Sequence, residues 1–302
     1  MRVGAMIDTD QPIDEVVAQV RQYADAGLSS AWASQIFGYD ALTLLAVVGA
    51  AVGGIELGTG VVPVYSRNPQ VMAQQALTVQ AATGGRLALG IGLSHQVVVE
   101  GLWGLSYDRP ARYLAEYLDA LVPMLEGRPA DVHGEVVTAV TYAPLEVPDV
   151  SAPQLLIAAL GPRMLGIAGR VADGTVTWMT GTNTVADHIV PTITAAAEDA
   201  GRPAPRIGVS LPVTITADAE AAKERIDTAF AIYPTLPSYR AMLEREGEDA
   251  PSGIALVGGE EEVVTGLTRL AEAGATDFVA AIVGSPEERS ATLEVLREVA
   301  AG

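Results

Sequence analysis

The 302-residue chain contains no cysteine. This excludes disulfides, thiolate catalysis and Cys-ligated metals, and it fits a reducing cytoplasm. Basic residues are few, with 18 Lys and Arg against 37 Asp and Glu and a net charge of -19. No Lys/Arg cluster offsets that balance, so the surface repels nucleic acid and anionic lipid. The three histidines, His95, His133 and His188, lie far apart, and none has a His-x-His or His-Glu-x-x-His context. No metal site is expected from them. A Gly-x-Ser-x-Gly elbow and a Walker loop are both missing. The N-terminus, MRVGAMIDTD, lacks the basic region and long apolar core of a signal peptide. Apolar segments such as Ala41–Val52 are too short, without glycine or charge, to span a bilayer.

What is present is a repeated alternation. Nearly half of the residues are apolar, enough for a large core. Short runs rich in Val, Ile and Ala read as strands at Arg2–Ile7, Ser30–Ala33, Glu56–Val62, Leu87–Ile91, Gln154–Ala159, Thr175–Met179, Arg206–Ile215 and Asp277–Ile282. Segments with helical spacing separate them, as in Ile13, Val16, Val17, Val20 and Ala24. Eight strands alternating with helices imply parallel pairing through right-handed crossovers, and eight such units close into a (β/α)8 TIM barrel. The competing architecture, a doubly wound open sheet, needs a dinucleotide fingerprint after its first strand. Asp8-Thr9-Asp10 stands there instead, and the nearest match, Gly90-Ile-Gly-Leu-Ser-His95, has His in place of the third glycine. The expected organisation is one domain, 1–302, with insertions near 93–110, 127–153 and 233–252. A hairpin is expected around His133-Gly134.

Three stretches carry possible chemistry. In the first, Leu87–Ile91 ends in Gly90 and Gly92, and Ser94 and His95 follow. Glycine lets the backbone leave the strand without side chains in the way. A strand that ends so, at the edge where α/β folds bind ligands, suits an active site. A plain βα turn with a surface histidine fits the local pattern as well. In the second, Ala158-Ala-Leu-Gly-Pro-Arg163 runs from a strand into a helix. The amides at that helix start can hold a phosphate, with Arg163 adding charge, or the stretch is an ordinary junction. In the third, Gly58 and Gly60 interrupt a strand, as at a bulge or beside a close ligand. Trp32, Trp178 and Met179 stand at strand ends, where they could wall a flat ring or simply pack in the core.

Together these residues resemble a known family. Leu57-Gly-Thr-Gly-Val61 with Arg67-Asn-Pro69, Gly84-Gly-Arg-Leu-Ala-Leu-Gly-Ile-Gly92, Ala158–Arg163, Ala168-Gly-Arg-Val-Ala-Asp-Gly174 and Ala273-Gly-Ala-Thr-Asp-Phe278 occur in order along nearly the whole chain. This pattern is similar to the bacterial luciferase-like flavin and deazaflavin enzymes, within them the branch that uses coenzyme F420. The resemblance implies a TIM barrel with insertions, usually a homodimer. It implies a cofactor whose ring lies against the third-strand bulge, with a non-proline cis peptide matching Gly60–Val61. The cofactor tail phosphate would match Ala159, Leu160, Gly161, Pro162 and Arg163. Gly92, Ser94 and His95 would match further cofactor and active-site contacts.

One departure stands out. F420 enzymes of this fold often carry an acidic residue and a histidine after the second strand, where this chain has Ala33-Ser-Gln-Ile36. The expected activity is an F420-dependent hydride transfer between the deazaflavin C5 and a small organic substrate, such as reduction of a C=C or C=N bond. His95 is then the expected proton donor or acceptor, since imidazole titrates near neutrality. Gln35, Trp103 and Trp178 are the expected substrate-pocket residues. The alternatives are an FMN-dependent monooxygenase on the same fold and a non-catalytic F420-binding protein.

Overall fold

The computed structural model describes residues 1–302. Its strands, in chain order, are β1 (Arg2–Met6), β2 (Ser30–Ala33), β3 (Glu56–Thr59), β4 (Val62–Pro63), β5 (Leu87–Gly92), β6 (Asp131–His133), β7 (Thr138–Val140), β8 (Gln154–Ile157), β9 (Gly174–Trp178), β10 (Arg206–Ile215), β11 (Leu256–Gly258) and β12 (Asp277–Ile282). Helices separate the parallel strands, and the fold class is the expected (β/α)8 barrel. The strands β6 and β7 form an antiparallel hairpin in which His133 pairs with Thr138.

The chain separates into two compact units. The first comprises Met1–Ile7, Ala18–Trp32 and Ala159–Gly302. In it β1 pairs with β2 and β12, and β10 pairs with β12, β9 and the short β11, all in parallel. Its core includes Val3, Ala5, Val209, Leu211, Phe278 and Ala280, each buried. Trp32 belongs to this core and is no ring wall: it is 1% exposed, and its Nε1–H donates to Ser30 Oγ at 2.8 Å. The Arg206 guanidinium lies 5.6 Å from the Trp32 ring centroid and is itself paired with the buried Asp277.

The second unit comprises Asp8–Val17 and Ala33–Ala158. Here β5 pairs in parallel with β3, β4 and β8. Every residue of β5 is buried, as befits a strand covered on both faces. The helices that follow the strands of this unit are α1 (Ala41–Ala51), α2 (Pro69–Ala82), α3 (Gln96–Gly101) and α4 (Pro110–Leu125). Asp40 caps α1 by accepting from Thr43 N, and Asn68 caps α2 by accepting from Gln70 N.

The loop expected at 101–110 is present, preceded by the helical segment α3, whose buried Val99 anchors it. Three expectations need correction. The third strand is two strands, β3 and β4, separated by Gly60 and Val61. The polar insertion at 233–252 contains a regular helix, Pro237–Glu246, because Met242 and Leu243 bury one face of it. Gly247, at φ 79, ends that helix in a conformation that suits glycine. The helix expected from 184 to 200 begins with a π-turn, Val185–Ile189, before continuing as Val190–Asp199. Pro191 explains it: proline has no N–H for the carbonyl four residues back and its ring would clash there, so the turn widens. No helix is long and apolar enough to cross a membrane.

Candidate active site

In the second unit the site is built around the segment between β3 and β4. Thr59 locks it to β5: its Oγ1 donates to Gly90 O at 2.7 Å and accepts from Gly90 N at 2.8 Å. A Cβ on Gly90 would lie 1.9 Å from Thr59 O, which is why that position is glycine. A Cβ on Gly92 would meet Val61 Cγ2 at 2.8 Å, so this glycine makes room for the Val61 side chain. The Gly60–Val61 bond is cis, as the resemblance implies. The exit of β2 holds the same segment from the other side. Gly60 N donates to Ala33 O at 2.9 Å, Ser34 Oγ to Gly60 O at 2.8 Å and Gln35 N to Val61 O at 3.4 Å. Two chain segments, the β2 exit and β5, thus fix one dipeptide, using backbone groups that would otherwise need water.

Arg67 organises the β2 exit further. Its guanidinium donates to Gln35 Oε1 at 3.1 Å and Gln75 Oε1 at 2.8 Å, and it pairs with Asp40. The Arg67 side chain is only 9% exposed, so it reads as a structural tie. Gln35 Oε1 also accepts from Ala41 N at 3.3 Å. The carboxamide oxygen is therefore engaged twice, and the donor end of Gln35 is left for another partner.

At the β5 exit, Ser94 takes a left-handed conformation at φ 62. Its carbonyl accepts from the Tyr107 hydroxyl at 3.3 Å, which ties the 101–110 loop down. Tyr107 and Tyr113 flank Tyr65, with ring centroids 5.4 and 4.2 Å away. The Tyr65 hydroxyl is buried without a hydrogen-bond partner, and its burial raises its pKa beyond the ordinary phenol range. His95 is half-buried, and burial lowers its pKa below that of free imidazole. The ring is therefore neutral near pH 7. Trp103 is half-buried in the 101–110 loop. Gln35, Gly60, Val61, Gly92 and Ser94 thus belong to one connected neighbourhood within this unit.

In the first unit, the expected phosphate loop leads into α5 (Pro162–Val171). Gly161 occupies the N-cap position, and no side chain caps the helix. Pro162 is its first residue, where a missing N–H costs nothing. A Cβ on Gly161 would meet nothing within 4 Å, so the space over this turn is open. Arg163 is exposed. Trp178, at the end of β9, packs edge-on against Phe230 at 5.3 Å and Tyr233 at 5.7 Å. Its Nε1–H is buried without a hydrogen-bond partner, and burial raises the Tyr233 phenol pKa, an effect the nearby Trp178 N–H offsets only in part.

Neither Arg67 nor Tyr65 was expected as a site-building residue. Arg67-Asn-Pro69 was visible as a motif, but its partners are 8 to 32 residues away. Tyr65 carried no local signal.

A family model described as luciferase-like monooxygenase matches residues 1–301. The chain belongs to this luciferase-like family. Among its relatives, the 5,10-methylenetetrahydromethanopterin reductase of Methanolobus tindarius is 25% identical over 265 residues, 86% of this chain and 78% of that protein. The coenzyme F420-dependent tetrahydromethanopterin reductase of Methanopyrus kandleri has a similar structure, with a TM-score of 0.84, 23% identity and coverage of 98% and 97% of the two chains. The FMN complex of the oxygenating constituent of 3,6-diketocamphane monooxygenase from Pseudomonas putida gives a TM-score of 0.77 at 17% identity, covering 99% and 97%. Both structural likenesses concern the fold.

Proposed function

We propose that this luciferase-like protein is an F420-dependent oxidoreductase acting on a small organic substrate. The observation that carries the reading is the clamped Gly60–Val61 dipeptide. Ser34, Gln35 and Ala33 hold its polar groups, and glycines at 90 and 92 leave room behind it. That arrangement fits a flat ring laid against a rigid, side-chain-poor surface. The names of the relatives add support, since a methanopterin reductase and an F420-dependent reductase are among them.

Each unit has residues suited to a part of the cofactor. Gly60, Val61, Gly92 and Ser94 are proposed as ring contacts. Ala159, Leu160, Gly161, Pro162 and Arg163, taken within their own unit, are proposed to hold a phosphate such as the cofactor tail carries: the helix start is uncapped and the volume over Gly161 is open. When bound, the deazaflavin would supply hydride transfer at C5, and the protein would bind and orient it. Neutral His95 is suited to accept a proton at a ring nitrogen. Gln35, held through its oxygen, is suited to donate a hydrogen bond and cannot carry a proton as an acid-histidine pair would. Gln35 and Trp103 in one unit, and separately Trp178 in the other, are proposed as substrate-contacting residues, with reduction of a C=C or C=N bond as the reaction. A homodimer, as the family usually forms, is part of the same proposal.

A second reading, an FMN-dependent monooxygenase, draws on the family description and the FMN-bound neighbour. Titration of the purified protein with F420 and with FMN, followed by fluorescence, separates the two. Selective binding of F420 at micromolar or lower concentration supports the first reading, and preference for FMN supports the second. Binding of neither overturns both.

A further inference from the structure

His188 is 7% exposed, lies on the π-turn Val185–Ile189 and takes no part in the chemistry above. Its Nε2 is 2.7 Å from Leu160 O, within the proposed phosphate loop. A carbonyl oxygen offers only lone pairs, so Nε2 carries the hydrogen and donates it. This contact has a consequence one atom further along the chain. In a trans peptide the C=O and N–H point in opposite directions. With Leu160 O turned toward His188, the Gly161 N–H turns away from it. In the flipped orientation the carbonyl oxygen would take the place of that N–H and repel an anion. No side chain caps the helix that starts here, and a Cβ on Gly161 would meet nothing within 4 Å.

We infer that His188 is a positioning residue: it holds the Leu160–Gly161 peptide so that the Gly161 amide joins the helix-start amides as a donor to the cofactor's phosphate. The inference rests on the proposed F420 reading. It assigns a reason for a buried histidine on the widened turn and gives the loop a single orientation before the ligand arrives, which reduces the ordering cost of binding.

The test uses the full-length protein, with F420 and, separately, the deazaflavin–ribitol chromophore that lacks the phosphate and its tail. Fluorescence titrations give the affinity for each. His188→Leu is expected to weaken F420 binding about tenfold, the effect of losing one hydrogen bond to a charged group. Affinity for the phosphate-free chromophore should stay within about twofold, since a ligand without the phosphate does not use that bond. His188→Gln, whose amide N–H can reach the same carbonyl, should recover most of the F420 affinity. Equal weakening toward both ligands would mark a merely structural role and overturn the inference, as would unchanged F420 affinity. Should His188→Leu fail to fold, Gly161→Val carries the test, because it fills the open volume over the same amide. It should remove the preference for F420 over the chromophore, and a retained preference overturns the inference. Wild-type protein that binds the chromophore as tightly as F420 would remove the phosphate site, whereas binding of neither ligand would overturn the cofactor reading itself.

Discussion

Replacing Gly90 with alanine tests the central geometry. The new Cβ would stand 1.9 Å from Thr59 O, and the obstacle is backbone that no rotamer change can move. Relief requires a displacement of about 1 Å or more between β3 and β5, and overpacking of this kind costs roughly 1–3 kcal/mol. The same displacement stretches the two Thr59–Gly90 hydrogen bonds, each worth about 1 kcal/mol net. The sum is roughly 3–5 kcal/mol. Unfolding entropy of about 2.1 cal/mol/K per residue, applied to this chain, converts 4 kcal/mol into a fall in Tm of roughly 6 °C. Thermal unfolding followed by circular dichroism measures it, and a parallel F420 titration should show weakened binding as the Gly60–Val61 segment moves. A Tm within about 1 °C of wild type, with unchanged cofactor affinity, would refute the reasoning.

Other expectations follow from single contacts. Glu116 is 7% exposed and accepts from the backbone N–H groups of Glu135, Val136 and Val137. Burial pushes its pKa up, but these three bonds and Arg112 outweigh it, and the net shift is downward. Its stabilisation is therefore present above the unfolded carboxylate pKa, near 4.3, and is lost as pH falls through the lower folded value. Glu116→Gln should lower Tm most at neutral pH, with the gap to wild type closing on acidification; a gap independent of pH would contradict this. Arg67→Met should loosen Gln35 and raise KM more than it lowers kcat, while an unchanged KM would show that Gln35 needs no such support. His95→Ala should lower turnover and leave F420 affinity largely intact. In wild type the acid limb of the rate profile should fall below the usual imidazole pKa, because burial lowers it, and the variant should lack that limb.

Much of the architecture was legible in the sequence because it rests on local patterns. The strands at Arg206–Ile215 and Asp277–Ile282 match their expected bounds, since runs of apolar residues between turn signals mark a buried strand whatever lies beside it. The hairpin at His133 was likewise expected, and so was the cis bond at Gly60–Val61, through the family resemblance. Position after a strand also drew attention to Gly92, Ser94 and Gly161. What surrounds those residues was a different matter. Gln35 was expected as a pocket residue, yet its oxygen is held by Arg67, 32 residues later. Gly90 is required because Thr59 O, 31 residues earlier, occupies the space its side chain would need. His188 reaches Leu160 across 28 residues. The sequence by itself determined where strands, helices and glycine turns fall, because backbone propensity and apolar periodicity act over a few neighbours. The tertiary structure alone decided which hydrogen-bond donor meets which carbonyl, because those partners are distant in the chain and become neighbours only when the core packs.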